Sequence, residues 1–148
     1  MTTSSAVICE VGPRDGLQMA RGRMPTDVKL RWIRQLADAG LKEIEVGSFV
    51  SPKAIPQMAD TGDVVRGALA IDGLTVCALA CNLKGAIAAH EAGAHVLAIP
   101  VSVSDTHSHA NVNKGTDAQI EMVRSIVDWV RAQPRPMRLD AAAATAFG

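Results

Sequence analysis

The chain of 148 residues has no tyrosine and only two phenylalanines and two tryptophans. With aromatics at 3%, the core has to be packed by Ala, Val, Ile and Leu. There is no net charge and no run of Lys or Arg, which argues against nucleic acid as a partner. No apolar run approaches the ~20 residues of a membrane span. The opening Met1-Thr-Thr-Ser-Ser5 has neither a charged n-region nor a long apolar h-region. No membrane association is therefore expected, and a cytoplasmic location is. The three cysteines, Cys9, Cys77 and Cys81, form no Cys-x-x-Cys pair, so neither a zinc knuckle nor a thioredoxin-type site is indicated. All three sit in apolar runs, and buried free thiols in a reducing cytoplasm are expected.

What is present is a large apolar fraction, 48%, which argues against disorder. A chain near this length buries roughly 70% of its unfolded surface. One domain over residues 1–148 is expected. Short apolar runs alternate with helical stretches. Strands are expected at Ala6–Val11, Glu43–Val46, Leu74–Ala80, His95–Val101 and Met137–Ala144. Helices are expected at Thr26–Ala39, Asp60–Leu69, Leu83–Ala92 and Thr116–Arg131. Thr26 can cap the first helix, in which Val28, Trp32, Leu36 and Ala39 recur at helical spacing, and Gly40 stops it. Ile120, Val123, Ile126, Val127 and Val130 define an apolar face on the last helix, which Pro134 and Pro136 end. Strict alternation of strand and helix implies a parallel sheet with right-handed crossovers. Two architectures satisfy it: the first five strands of a (β/α)8 barrel, or an open five-stranded doubly wound sheet. Both place chemistry at the C-terminal ends of the strands.

The first strand runs into Gly12-Pro13-Arg14-Asp15-Gly16-Leu17-Gln18. A carboxylate can bind a hard divalent cation, and an adjacent guanidinium can hold a developing oxyanion through several directed donors. An Arg-Asp pair can equally be a surface pair in a turn shaped by Gly and Pro. Glu45 is a carboxylate inside an apolar strand, between Ile44 and Val46. Burying it is costly unless it is paired, so a structural salt bridge and a role beside a metal site both stay open. Ser48 can cap the next segment. His107 and His109 sit two apart in what reads as a flexible polar loop without a held carboxylate nearby, and they are not taken as metal ligands.

Taken together, Glu10-Val-Gly-Pro-Arg-Asp-Gly-Leu-Gln18 resembles the first-strand signature of the hydroxymethylglutaryl-CoA lyases, metal-dependent enzymes built on (β/α)8 barrels. Related isopropylmalate and homocitrate synthases typically carry Asp-Thr-Thr-Leu-Arg-Asp-Gly-x-Gln there, so Glu10 to Pro13 favours the lyase branch. The resemblance continues through Ala39-Gly-Leu41, Ile44–Lys53, Pro56–Asp60, Asn82–Gly85 and Ala92–Ala94, and more weakly to Phe147-Gly148. It implies cleavage of 3-hydroxy-3-methylglutaryl-CoA to acetoacetate and acetyl-CoA, a reaction of leucine catabolism and ketone-body formation. Arg14 and Glu45 are the implied catalytic residues. Arg14, Gln18, Ser48 and Asn113 are the implied substrate-binding residues. Asp15 is the implied ligand of Mg²⁺ or Mn²⁺. Ser104–His107 is similar to a substrate-facing loop of the related synthases.

The family's His-x-His metal ligands, a metal-binding Asn and a catalytic Cys lie on later strands, with no counterpart here. A full barrel takes roughly 250 residues. The chain is therefore expected to be the N-terminal half of such an enzyme, weak in metal binding and catalysis alone, or to cover its open face by forming a homo-oligomer. A sibling condensing or aldolase-type enzyme, and a non-catalytic partial-barrel interaction domain, are the alternatives.

Overall fold

A computed structural model describes residues 6–147. Met1 to Ser5, read above for a leader, and Gly148, the last residue of the weaker match, lie outside them. The strands are β1 (Cys9–Glu10), β2 (Glu43–Ser48), β3 (Thr75–Leu79), β4 (Val96–Ser102) and β5 (Arg138–Ala144). The helices are α1 (Thr26–Asp38), α2 (Thr61–Ala68), α3 (Leu83–Ala92), α4 (Asp105–Val112) and α5 (Thr116–Arg131). A π-helical turn spans Gly12–Gly16, and a 3-10 turn spans Pro56–Met58.

The strands lie in the order β1-β2-β3-β4-β5, every neighbouring pair parallel. That order decides between the two architectures. A doubly wound sheet reverses direction at a switch point and puts helices on both faces. A strictly sequential order winds one way, which keeps the helices outside and curls the sheet into half a barrel. The open doubly wound alternative is therefore wrong, and β1 and β5 are the edges.

The core lies between the sheet and the helices. Ile44, Val46, Val76, Ala78, Leu97 and Ile99 face Val64, Val65, Ala86, Ala89, Ile126 and Val130, all buried. Small and branched side chains carry this packing, as the shortage of aromatics requires. The opposite, concave face holds Cys9, Glu43, Glu45, Cys77, Val96 and Arg138, which the strand registers bring to one side.

Three local readings change. Thr26 does not cap α1; Pro25 holds the N-cap position, and the Thr26 hydroxyl donates to Asp60 Oδ2 at 2.7 Å. In α1 the buried positions are Ile33 and, against its polarity, Lys29 at 3% exposure. Lys29 Nζ donates to Asp60 Oδ1 and to the Gln57 carbonyl, both at 2.6 Å. In α5, Ile120 is exposed and Gln119 is buried in its place, donating to Ser108 Oγ and accepting from Ser102 N at 3.2 Å.

Lys29 and Asp60 tie α1 to the start of α2. Burial pushes the Asp60 carboxyl up, but hydrogen bonds from Lys29 and Thr26 and the lysine charge outweigh it, and the group titrates below the ordinary aspartate value. The stability this provides is full above that ordinary value and is lost as pH falls through the depressed one. Asp60→Asn leaves a buried ammonium without its partner and should cost about 3–5 kcal/mol in urea unfolding at neutral pH. The gap to the parent chain should narrow as pH drops below about 4.

Candidate active site

The site is built at the C-terminal end of β1 and β2. Pro13 is buried at the start of the π-helical turn, and the amides of Arg14 and Asp15 both donate to the Val11 carbonyl, at 3.1 and 2.7 Å. Glu10 Oε1 accepts from the Gly12 amide at 2.6 Å. This tight turn sends Arg14 inward and leaves Asp15 outward.

Arg14 Nε donates to Glu45 Oε1 at 2.6 Å, and Arg14 Nη1 donates to Asp15 Oδ1 at 2.7 Å. The side chains differ in burial: Glu45 is 7% exposed, Arg14 17% and Asp15 59%. Glu45 is thus paired with Arg14, which a structural salt bridge and a role beside a metal site both accommodate. Burial pushes the Glu45 carboxyl up; the Arg14 charge and hydrogen bond pull it down, and the Asp15 charge adds to the rise. The net direction is up from the ordinary value of 4.5.

Ser48 joins this group by a fault in the sheet. The β2–β3 register slips between Glu45 and Ser48, so that Glu45 pairs with Cys77 and Ser48 with Leu79. One extra residue on β2 turns Ser48 to the concave face, as a β-bulge does. There its hydroxyl donates to Gln18 Oε1 at 3.1 Å, and it caps no helix. The bulge needs Gly47: a Cβ there would lie 2.7 Å from Thr61 Oγ1, whose hydroxyl bonds the Ser48 carbonyl at 3.0 Å.

Asn113 is not brought to this cluster. It is exposed, with φ 53°, and ends α4 in the left-handed conformation that Asn tolerates. The segment before it is no flexible loop. Ser104 Oγ accepts from the His107 amide at 3.4 Å and starts α4. Residues two apart on a helix do not share a face, so His107 and His109 diverge. His107 Nδ1 instead lies 2.8 Å from Ser102 Oγ. Cys9 is exposed, Cys81 is half-buried and only Cys77 is buried, all three as free thiols.

Sequence reasoning missed the pockets beside these residues. One of about 400 Å³ is lined by Ser48, Phe49, Pro52, Asn82 and Lys84, and one of about 230 Å³ by Cys81, Asn82, Lys114 and Gln119. Both meet at Asn82, which caps α3 by accepting from Gly85 N at 2.8 Å. Gly85 sits so close to the β2 loop that a Cβ would be 2.6 Å from the Phe49 carbonyl oxygen. The Asn82-to-Gly85 match was legible, but its consequence is this close approach.

The HMGL-like family profile matches residues 5–146 of the chain. Mitochondrial hydroxymethylglutaryl-CoA lyase of Gallus gallus is 40% identical over 131 residues, 88% of this chain and 44% of that protein. Hydroxymethylglutaryl-CoA lyase of Bacillus subtilis is 38% identical over 141 residues, 95% of this chain and 46% of its own length. An HMG-CoA lyase from Acinetobacter baumannii, solved with coenzyme A and 3-methylmalate, superposes with a TM-score of 0.88 at 39% identity, covering 96% of this chain and 46% of that one. The chain thus spans less than half the length of these relatives.

Two outcomes follow from the geometry. Arg14→Gln removes the cation from a buried carboxylate and should destabilise by about 3–5 kcal/mol near neutral pH. Glu45 then titrates higher still, so the deficit in a denaturation series should shrink as pH falls toward its ordinary value of 4.5. Gly47→Ala should cost about 1–3 kcal/mol in thermal or urea unfolding through its clash with Thr61.

Proposed function

The chain belongs to the HMGL-like family, and from that premise we propose that residues 1–148 are the N-terminal portion of a barrel domain that cleaves 3-hydroxy-3-methylglutaryl-CoA to acetoacetate and acetyl-CoA. The observation that carries the reading is Arg14, fixed between buried Glu45 and exposed Asp15 at the strand ends.

A guanidinium held by a buried carboxylate is preorganised. It loses little freedom when it meets the oxygen on which charge develops as the carbon–carbon bond breaks. Arg14 is the catalytic residue in this proposal, and Glu45 is its positioning residue. Gln18 and Ser48, bonded to each other on the concave face, bind polar groups of the substrate. Asn113, beside the pocket formed with Lys114, is assigned to the thioester end. The donor chemistry at Asp15 fits a hard divalent cation, Mg²⁺ or Mn²⁺, in kind: a half-exposed carboxylate with one oxygen engaged by Arg14. It provides only part of the roughly six donors such an ion takes. When bound, the cation supplies charge that favours ionisation of a substrate hydroxyl.

A cytoplasmic site with a role in leucine and ketone-body metabolism is also proposed. Self-association is proposed as well, with sedimentation equilibrium as its measure. No helix among the described residues is long and apolar enough to cross a membrane.

The test is a chimaera in which residues 5–146 replace the matching segment of the Bacillus subtilis relative. It should cleave the acyl-CoA in the presence of Mg²⁺ or Mn²⁺. Arg14→Gln should lower kcat by about 10²–10³-fold, and Asp15→Asn should raise the metal concentration needed. A folded chimaera that condenses acyl-CoA with an oxo acid but never cleaves would sink the proposal.

A further inference from the structure

A second group of donor atoms lies deeper on the concave face, nearer the N-terminal ends of the strands. Cys9 Sγ, Cys77 Sγ and a Glu43 carboxylate oxygen all lie within 4.8 Å of one another. The registers explain the convergence. Cys9 pairs with Glu43 across β1 and β2, while Cys77 sits on β3 opposite Glu45, two residues further along the same face of β2. The inward curl of the sheet brings their tips together. None of these residues belongs to the Arg14 cluster, and nothing proposed above uses them.

We propose that Cys9, Cys77 and Glu43 form a binding site for a soft or borderline divalent cation of the zinc class. Two thiolates and a carboxylate are the ligand types such ions take, and three protein ligands leave a fourth, tetrahedral position for water. At Zn–S distances near 2.3 Å, two sulfurs across a tetrahedral ion stand about 3.8 Å apart, a separation inside the 4.8 Å within which the three donor atoms lie. A disulfide is the competing use of two neighbouring thiols, and the backbone opposes it. Cys9 and Cys77 are on strands with β2 between them and are offset by two residues along it, so their Cα atoms stand roughly two strand spacings of ~4.8 Å apart or more. Disulfides bridge Cα separations up to roughly 7 Å.

Glu43 is held for the task. Arg138, on the far edge strand β5, donates from Nη2 to Glu43 Oε1 at 2.6 Å and to Asp140 Oδ2 at 2.8 Å. A hydrogen bond to one oxygen of a ligating carboxylate orients the other, as outer partners in metal sites do. Cys9 is exposed, which gives an ion its way in. Binding releases the thiol protons to solvent as the metal–sulfur bonds form. This site differs in chemistry from Asp15, whose single hard oxygen donor selects Mg²⁺-like ions.

The experiment titrates the full purified chain, under reducing conditions, with Cd²⁺. Binding is followed by the ultraviolet thiolate-to-cadmium charge-transfer band, and stoichiometry by native mass spectrometry. One ion per chain is expected, with the band retained in Cys81→Ser and Asp15→Asn. It should be lost in Cys9→Ser and in Cys77→Ser, and its midpoint should move to higher Cd²⁺ in Glu43→Gln. Cys9 is at the surface, so Cys9→Ser tests the site even if Cys77→Ser fails to fold; circular dichroism identifies the folded variants. No band in the parent chain overturns the proposal. So does a band that survives loss of either Cys9 or Cys77 in a folded variant, because that marks a single exposed thiol. An unchanged midpoint in Glu43→Gln removes the carboxylate and overturns it too.

Discussion

A carboxylate inside a strand has to be answered by a cation, and Glu45 is answered by Arg14 at 2.6 Å. Much of the local structure follows from that pairing. Arg14 reaches Glu45 only because the chain after β1 winds into a π-helical turn instead of running straight on. Such turns are rare and concentrate at functional sites. The same turn exposes the next residue, so Asp15 is solvent-facing while its neighbour is not. Replacing the pair by apolar residues of similar size would cost the fold little. What the pair provides is a guanidinium held in one orientation, with one face on Glu45 and another on Asp15. A freely rotating arginine at the same position would have to be ordered at each encounter with its ligand.

The two faces of the sheet divide the labour. The helix-facing side is almost entirely Ala, Val, Ile and Leu, and it carries the core. The concave side carries Glu43, Glu45, Cys77 and Arg138. A complete barrel fills its interior with layers of side chains. Here Arg138 crosses from β5 to Glu43 on β2, so a charged contact spans the hollow where apolar layers are usual. Both sides of this division are set by period-two alternation. A single inserted residue in β2 is enough to move Ser48 from one side to the other.

Alternation is also what made the fold legible. The start of β2, the end of β5 and the spans of α3 and α5 match expectation, because each run has its period and its stop signal close by. Failures occur where the deciding partner is distant in sequence. Lys29 looks like a surface residue until Asp60 is placed beside it. Gln119 looks like the polar neighbour of an apolar face until Ser102 and Ser108 surround it. β1 is far shorter than the run from Ala6 to Val11, whose Val7 and Ile8 stay exposed on an unpaired edge. At the site, the Arg14-Asp15 motif was readable, and so was the need of Glu45 for a partner, but not which residue provides it. The Ser48 bulge was not readable, because Gly47-Ser48 looks like the end of a strand.

The α4 segment shows the same limit in its sharpest form. Asp105 to Val112 has a weak apolar pattern and polar, loop-like composition. It is a helix because both of its ends are fixed by side-chain contacts: Ser104 caps its start, and Ser108 holds the chain just past its end. Its own first residue then serves the next helix: Asp105 Oδ1 accepts the Thr116 amide at 2.7 Å. Gly115, at the N-cap position of α5, has no side chain to do this. Ser108, in the middle of α4, donates to the Lys114 carbonyl and folds the connection back. A short helix of low intrinsic propensity is marginal in isolation; here it persists because removing it would leave the Thr116 amide at the start of α5 and Gln119 Nε2 without their partners. Its conformation in turn fixes where Asn113 and Lys114 stand at the rim of the pocket next to Asn82. The geometry of that rim is therefore decided by capping contacts that join α4 to the start of α5, between residues up to eleven apart, which neither helix's own apolar period reveals.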